Sequence, residues 1–410
     1  MARTNKPPRG PSSQKPSAAV VPPPKTQTQT QTQTQQQQRR RRRPLNGLFA
    51  LSFAGLSALF AWLMRVETVV EGVPVNFHSV VETGRFGNGT PVEKRFTGVA
   101  AVDEVLSFLV VAFLEGTGRW DQGVYAQQAY FLLQWFAVVC VWVVEANRRR
   151  NAWKAVSFIG FTAFLYQLIG AAVIAPLYYL AYVVTSRDDA YFFQGRELSA
   201  GRAVSLLPAV IIGYLIPTIA MFYPWDDVKR AQYLTALWQP APIFVSVLIS
   251  VFSFLVPSSS PTAATKNGDV KHLKRVYLVV GLVTAIAHVG MLYTSLTSDD
   301  PRLSLSYVFL PNRATWKDSM GLGLHYIFQV DFFGAFGSTL FWSWLVTYDV
   351  LRILGKPTAV DLIKAVLGIA LATIVAGPGT ATILVWNWME DRLIMIENGI
   401  KGTSKKSKAT

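Results

Sequence analysis

The apolar residues of this chain come in blocks, and the blocks approach the ~20 residues that an α-helix needs to cross a bilayer. The first, "PLNGLFALSFAGLSALFAWLM", covers residues 44–64. Others follow at 99–115, 125–145, 155–183, 204–222, 240–256, 275–296, 324–347 and 363–387, with no soluble domain between them. Only 15% of the 410 residues are charged and 51% are hydrophobic, whereas a soluble domain carries about a quarter charged residues. The expected fold is all-α: a polytopic membrane bundle of about eight helices (seven to nine) over residues 44–391, without a convincing internal repeat.

The two ends differ from this body. Residues 1–43 run through prolines and "KTQTQTQTQTQQQQ" to five arginines at 39–43. Such a tract buries too little apolar surface to offset its ordering entropy, so a disordered tail is expected. Residues 392–410 form a short basic tail. The formal charge of +15 sits in these ends: ten basic and no acidic residues lie in 1–44, and four lysines follow Glu397, leaving about +1 for the body. Terminal basicity suits an anionic membrane face and the positive-inside rule. With no recognisable fold signature, it argues against a nucleic-acid partner. The first block is longer than the core of a secretory signal and lacks a clean cleavage site. It reads as an uncleaved anchor in the endoplasmic reticulum with a cytosolic N-terminus. The single cysteine, Cys140, excludes an intrachain disulfide and a Cys-rich zinc site, and reads as a small core residue.

Topology turns on "VAAVDEVLSFLVVAFLEG", residues 99–116, which carries Asp103, Glu104 and Glu115 around an apolar centre. From Val99 to Leu114 a helix is about 24 Å long, short of a ~30 Å hydrocarbon core. If it does not cross, the basic cluster "ANRRRNAWK" at 146–154 and the C-terminus share the side of the N-terminus. Lys266, Lys271, Lys274 and Arg275 then fall on the other side, an imperfect fit. The eight-span arrangement is preferred, with 65–124 a non-cytosolic excursion and 99–116 a re-entrant or amphipathic element. That excursion holds "NGT" at Asn88–Thr90, a glycosylation sequon weakened by Pro91.

Ionisable residues at membrane depth are costly and point to function. Asp331 lies about a third of the way into its span in "LGLHYIFQVDFFGAFGSTLFWSW", with His325 and Gln329 upstream and no basic residue near it in that helix. A neutral carboxylic acid there is a proton donor, or else a hydrogen-bonding group that joins helices. Asp103 is either a second acid or a residue that starts a helix. Glu104 and Glu115, about 16 Å apart on one helix face, cannot share one proton. His288, in "VTAIAHVGMLYTS", is a candidate base or a packing residue, and Gln134 and Gln167 are similar. Glu145 beside Arg148–Arg150 reads as an interfacial ion cluster, and "WNWMED" at 386–391 as interface punctuation or the roof of a cavity. Twelve Trp, 15 Tyr and 25 Phe supply aromatic faces, which stabilise cations.

Walker A, nucleophile-elbow, Rossmann and HExxH patterns are absent. The pairs Asp188–Asp189, Asp226–Asp227 and Asp299–Asp300 continue as "DDAYF", "DDVKR" and "DDPRL", without the third acid of a magnesium-binding DDxxD/E motif. No cofactor and no metal are expected. Any terpene chemistry here starts by protonating an epoxide or an alkene.

The stretches "RFTGVAAVDEVLSFLVVAFLEG…WDQGVYAQQAYFLLQWFAVVCVWVVEANRRRN" and "ATWKDSMGLGLHYIFQVDFFGAF" resemble a family of fungal multi-pass membrane terpene cyclase-like proteins from secondary-metabolite clusters. The paxilline-cluster A protein and the ascofuranone-type membrane cyclase belong to that group. The resemblance covers residues 65–395. It implies proton-initiated cyclisation of a lipophilic prenylated substrate in meroterpenoid or indole-diterpene synthesis, an isomerase or lyase type of activity without metal. On that reading Asp331 or Asp103 is the acid, and Glu115 and His288 are candidates for the closing base. The alternatives are a carrier of a lipophilic metabolite, suggested by Pro176, Pro208, Pro217 and "GPG" at 377–379, and a non-catalytic membrane scaffold for other pathway enzymes.

Overall fold

The computed structural model describes residues 1–2, 41–256 and 267–399. Most of the two expected tails, and Lys266, lie outside the described residues. Helices account for the architecture, and the described residues contain no strand, only two isolated β-bridges. In chain order they are α1 (Asn46–Val70), α2 (Phe77–Thr83), α3 (Ala100–Thr117) and α4 (Gln122–Asn147). Next come α5 (Ile159–Ile169), α6 (Ala171–Thr185), α7 (Ala200–Phe222), α8 (Val228–Trp238) and α9 (Ala241–Leu255). The last five are α10 (Val270–Thr297), the single turn α11 (Leu305–Phe309), α12 (Met320–Leu354), α13 (Ala359–Ala376) and α14 (Pro378–Glu397). Five helices are long and apolar enough to cross a membrane, and six when α8 and α9, bent by 56°, count as one span.

Ion pairs define the two ends of the bundle. At one end Arg43 meets Asp349, Arg148 meets Glu145 and Glu390, Arg196 meets Asp269 and Glu390, and Lys274 meets Asp391. At the other, Arg313 meets Glu67 and Lys317 meets Glu71. Between these ends the chain runs the length of the bundle six times, through α1, α4, α7, α8–α9, α10 and α12. The centre is α4, which is buried along most of its length, whereas α13 has no fully buried residue and lies at the periphery. With lipid outside, packing rather than water exclusion joins such helices, and small residues allow close approach. Gly334 of α12 lies against Ala172 of α6, and Gly213 of α7 lies against Val245 of α9, with no room for a Cβ at either glycine.

The expected spans at 155–183 and 363–387 are each reversed at a glycine, although α13, in the second, is itself one of the five helices long and apolar enough to cross. In the first, α5 and α6 form a hairpin that turns at Gly170, deep in the bundle beside Met64 and Asp331. It starts after the 146–154 cluster and returns to Ser186, whose hydroxyl accepts from Arg43. Eleven and fifteen residues make arms of about 16 and 22 Å, each too short to cross. In the second, α13 and α14 turn at Gly377 beside Gln134 and His288, and α14 returns to place Glu390 and Glu397 against Arg148 and Arg196. Both glycines adopt a positive φ (110° and 90°) with extended ψ, a conformation that reverses the chain and disfavours a Cβ. With two fewer crossings, Lys271 and Lys274 join the other basic clusters at one end. The misfit of the eight-span arrangement disappears.

Two further features differ from their sequence reading. Arg43, at the edge of the low-complexity tail, is buried: its guanidinium donates to Asp349 at 2.9 and 3.0 Å and to Asn46 at 2.7 Å. Trp386 does not punctuate an interface. It is fully buried, its indole N–H donates to Glu145 at 3.0 Å, and its ring meets Trp342 at 4.4 Å.

Candidate functional site

A chamber of about 250 Å³ lies inside the bundle, between α1, α3, α4, α8, α12 and the α5–α6 turn. Eight aromatic side chains line it: Phe77, Phe108, Phe113, Phe131, Trp135, Tyr166, Trp238 and Phe328. The polar lining comprises Arg65, Thr68, His78, Gln167 and Asp331, and Asp331 is the one carboxyl among the described lining residues. The indole N–H of Trp135 and the hydroxyl of Tyr166 are buried side by side on this wall, their rings 5.8 Å apart.

The α5–α6 turn sets the electrostatics. A helix end leaves backbone groups without partners, with partial positive charge at the N-terminus and negative charge at the C-terminus. Asp331 Oδ1 accepts the Ala172 N–H at 2.5 Å, which places an acid at the N-terminus of α6. Arg65 donates to the carbonyls of Ile169 (2.7 Å) and Leu168 (3.3 Å), which places a cation at the C-terminus of α5. The α13–α14 turn is built alike with an amide and an imidazole. Gln134 Oε1 accepts from Gly379 N at 2.9 Å, again two residues beyond the turn glycine, and His288 Nε2 bonds the Ile374 carbonyl at 3.0 Å.

Of the residues singled out from sequence, Asp331 and Gln167 line the chamber. Asp103 does not. Its Oδ1 accepts from the N–H groups of Phe96 (3.1 Å) and Thr97 (2.7 Å) and from the Thr97 hydroxyl (2.8 Å), and its Oδ2 accepts from Gly98 N–H (3.0 Å). Those bonds hold the loop before α3 and favour the charged carboxylate, the opposite of what a proton donor needs. Glu115 packs against Gly321 at the start of α12, outside the chamber, where burial, reinforced by the Asp121 charge, pushes its carboxyl up. Glu104 is exposed. His288 bonds Tyr130 through Nδ1 at 2.7 Å, so both of its ring nitrogens are occupied away from the chamber. Asn88 is exposed on a tight turn, where its Oδ1 accepts from Thr90 N–H at 3.0 Å.

Sequence reading missed Arg65, His78, Trp135 and Tyr166. Arg65 carried a signal. It follows the first apolar block directly, at the end away from the other arginine clusters, where the positive-inside rule disfavours a cation. The other three lie in an ordinary loop helix or among many aromatic residues, and only the tertiary fold brings them together.

The model of the CtvD domain matches residues 46–395. The chain is 24% identical to the terpene cyclase ascI of Acremonium egyptiacum, over 87% of this chain and 96% of that protein. It is 23% identical to the terpene cyclase ctvD of Aspergillus terreus, over 83% of this chain and 97% of that one. It is also 26% identical to the FAD-dependent monooxygenase verC1 of Penicillium polonicum, over 74% of this chain but only 37% of that longer relative. No solved structure matches the chain. An all-helical membrane bundle matched from its first helix to its last by one family model, this chain belongs to the CtvD domain family, whose similar members include proteins named terpene cyclases.

Proposed function

We propose that this protein is an integral-membrane terpene cyclase that opens a prenyl epoxide by protonation, with Asp331 as the acid. The observation that carries this reading is one carboxyl on a wall of eight aromatic rings. Asp331 Oδ1 is taken by the Ala172 N–H, which leaves Oδ2 to hold the proton. The proton passes to the epoxide oxygen as its bond to carbon breaks, and the electrons of a nearby alkene close the ring on that carbon. The carboxylate left behind keeps the Ala172 N–H, the N-terminus of α6 and the field of Arg65, groups oriented before the reaction begins. The ring faces stabilise the travelling cation. A final proton leaves to His78 on the same wall, and the product is an isomer of the substrate. Neither Glu115 nor His288 reaches the chamber, and neither has a part in this scheme. The similarity to part of an FAD-dependent monooxygenase supports an epoxide as substrate, because flavins carry the O2 chemistry that installs one.

The test uses microsomes from a host that expresses only this chain, fed with prenyl epoxides. A product of unchanged mass and altered retention is expected. Asp331→Asn keeps an acceptor for Ala172 and lowers the yield by about 100-fold or more, the usual loss on removal of a general acid. Full yield from a folded Asp331→Asn protein would sink the assignment. One observation favours a second reading, a carrier of a lipophilic compound: half-helices that meet in mid-bundle are a feature of transporters. Uptake of unaltered epoxide into vesicles, with no product formed, would select it.

A further inference from the structure

Beside the chamber lies a second cavity, a groove of about 710 Å³ between α3, the end of α5 and the bend from α8 to α9. Its walls are apolar, and Val102, Val105, Phe164 and Leu237 among them are exposed. On a chain that sits in a membrane such side chains face lipid. The helices around the groove pair off, α3 with α8 and α5 with α9, and the groove opens between the two pairs.

Groove and chamber share Leu109, Gln167 and Leu168. One face of α3 passes from one space into the other. Ala101 and Val105 line the groove, Leu109 lines both spaces, and Ala112 lines the chamber. Steps of four, four and three residues keep these side chains on one side of the helix, in a stripe about 16 Å long. The facing wall is fixed. Gln167 Nε2 donates to the Gln239 carbonyl at 2.7 Å and ties the end of α5 to the α8–α9 bend.

Size says what the groove holds. A cavity of about 150 Å³ accommodates one benzene ring. On that scale the chamber, at about 250 Å³, has room for about ten carbons, or two isoprene units. A terminal epoxide and the alkene that closes on it fill that room. The rest of a longer prenyl chain has to lie outside, and the groove is the apolar space that continues the chamber.

We propose that the groove is the side opening through which a prenylated substrate passes from the bilayer to the chamber, and that it holds the part of the chain that does not react. The proposal deepens the cyclase reading and rests on the chamber as the place of reaction. The groove walls then select for chain length, a task separate from that of Asp331 and the aromatic rings.

The experiment uses microsomes that contain the full chain, with geranyl epoxide, farnesyl epoxide, and a farnesyl epoxide that carries a diazirine at the end away from the oxirane. After irradiation, peptide mass spectrometry should find the label within residues 101–106 or 234–244, and excess farnesyl epoxide should displace it. Val105→Trp fills the groove at an exposed position. It should abolish the labelling and lower kcat/KM for farnesyl epoxide by about tenfold, while geranyl epoxide stays within about twofold. Leu237→Trp, exposed on the α8 wall, should do the same, so the test survives if one variant does not fold. Leu278→Trp, exposed on α10, should change neither substrate. Label that lies only outside the groove, that persists in both groove variants, or that farnesyl epoxide does not displace overturns the proposal, as does equal slowing of both epoxides. A labelled groove with no product from the native chain supports the opening and sinks the cyclase reading instead.

Discussion

Asp331 and Asp103 are the same residue type in opposite circumstances, and the difference lies in who donates to them. Asp331 takes its N–H donation from the end of a half-helix, Ala172 at 2.5 Å, while four donors of a wrapped loop close on Asp103. The depth of Asp331 in a long apolar block was legible in the sequence. The loop that wraps Asp103 was not, because nothing in "RFTGVAAVD" marks a chain that folds back on its own carboxyl. The consequence for pH follows from sign. The Thr97 N–H, with its hydroxyl and the N–H groups of Phe96 and Gly98, holds the Asp103 carboxyl below the usual carboxylate range. A depressed pKa contributes stability that is fully present above the unfolded value, about 3.9, and is lost as pH falls through the folded one. Hydrogen exchange at Phe96–Gly98 should therefore stay slow from pH 7 to about 4 and quicken below it. Asp103→Asn should exchange quickly at pH 7 as well. Equal protection at pH 3 and pH 7 in the native protein would contradict this.

At the scale of elements, the lesson concerns apolar runs. Residues 155–183 and 363–387 read as spans because hydropathy registers length and not direction, and one glycine inside a run weakens a helix without announcing a reversal. "GPG" at 377–379 was visible as a breaker; Gly170, in "YQLIGAAV", was not. The reversal needs partners that arrive from other helices: Arg65 and Asp331 for one turn, His288 and Gln134 for the other. At Gly170 a Cβ would stand 2.7 Å from Met64 Cε, and at Gly377 2.7 Å from Gln134 Oε1. Gly170→Ala and Gly377→Ala should each cost about 1–3 kcal/mol from backbone strain. Gly170→Ala should also reduce turnover, since its turn forms the chamber wall; Gly377→Ala should destabilise with little change per folded molecule. Melting in detergent beside turnover normalised to folded protein checks both. The returning arm α14 is fastened by Glu390, which receives Arg148 and Arg196 in a buried cluster. Removal of Glu390 leaves Arg148 to Glu145 and Arg196 to Asp269 and Glu397, two buried guanidiniums with the carboxylate they share gone. Glu390→Gln should cost about 3–5 kcal/mol, a larger loss than either glycine variant.

For the whole molecule, the two hairpins decide which parts of the surface share a side of the membrane. The sequence made the bundle legible and left its threading ambiguous, because a basic loop was stranded on the wrong face of every simple count. With α5–α6 and α13–α14 as hairpins, residues 152, 187, 356 and 399 all lie at one end of the bundle, and residues 79 and 314 at the other. The positive-inside rule predicts that the first end faces the cytosol. The chain suits a direct test, because its single cysteine, Cys140, is fully buried. Ala152→Cys, Arg187→Cys, Lys356→Cys, Ser79→Cys and Ala314→Cys each replace an exposed residue. In sealed microsomes a membrane-impermeant maleimide should label the first three at once, and the last two only after the membrane is opened. Ala152→Cys and Arg187→Cys form the decisive pair, since a spanning 155–183 would put them on opposite sides. Labelling of one and protection of the other would refute the hairpin. By the same rule Asn88, on an exposed turn, is expected on the side away from the cytosol. Treatment with an N-glycosidase should shift the mobility of the native chain if the sequon is used despite Pro91, and should leave Asn88→Gln unshifted. A shift that persists in Asn88→Gln would place the sugar, and so the lumen, elsewhere.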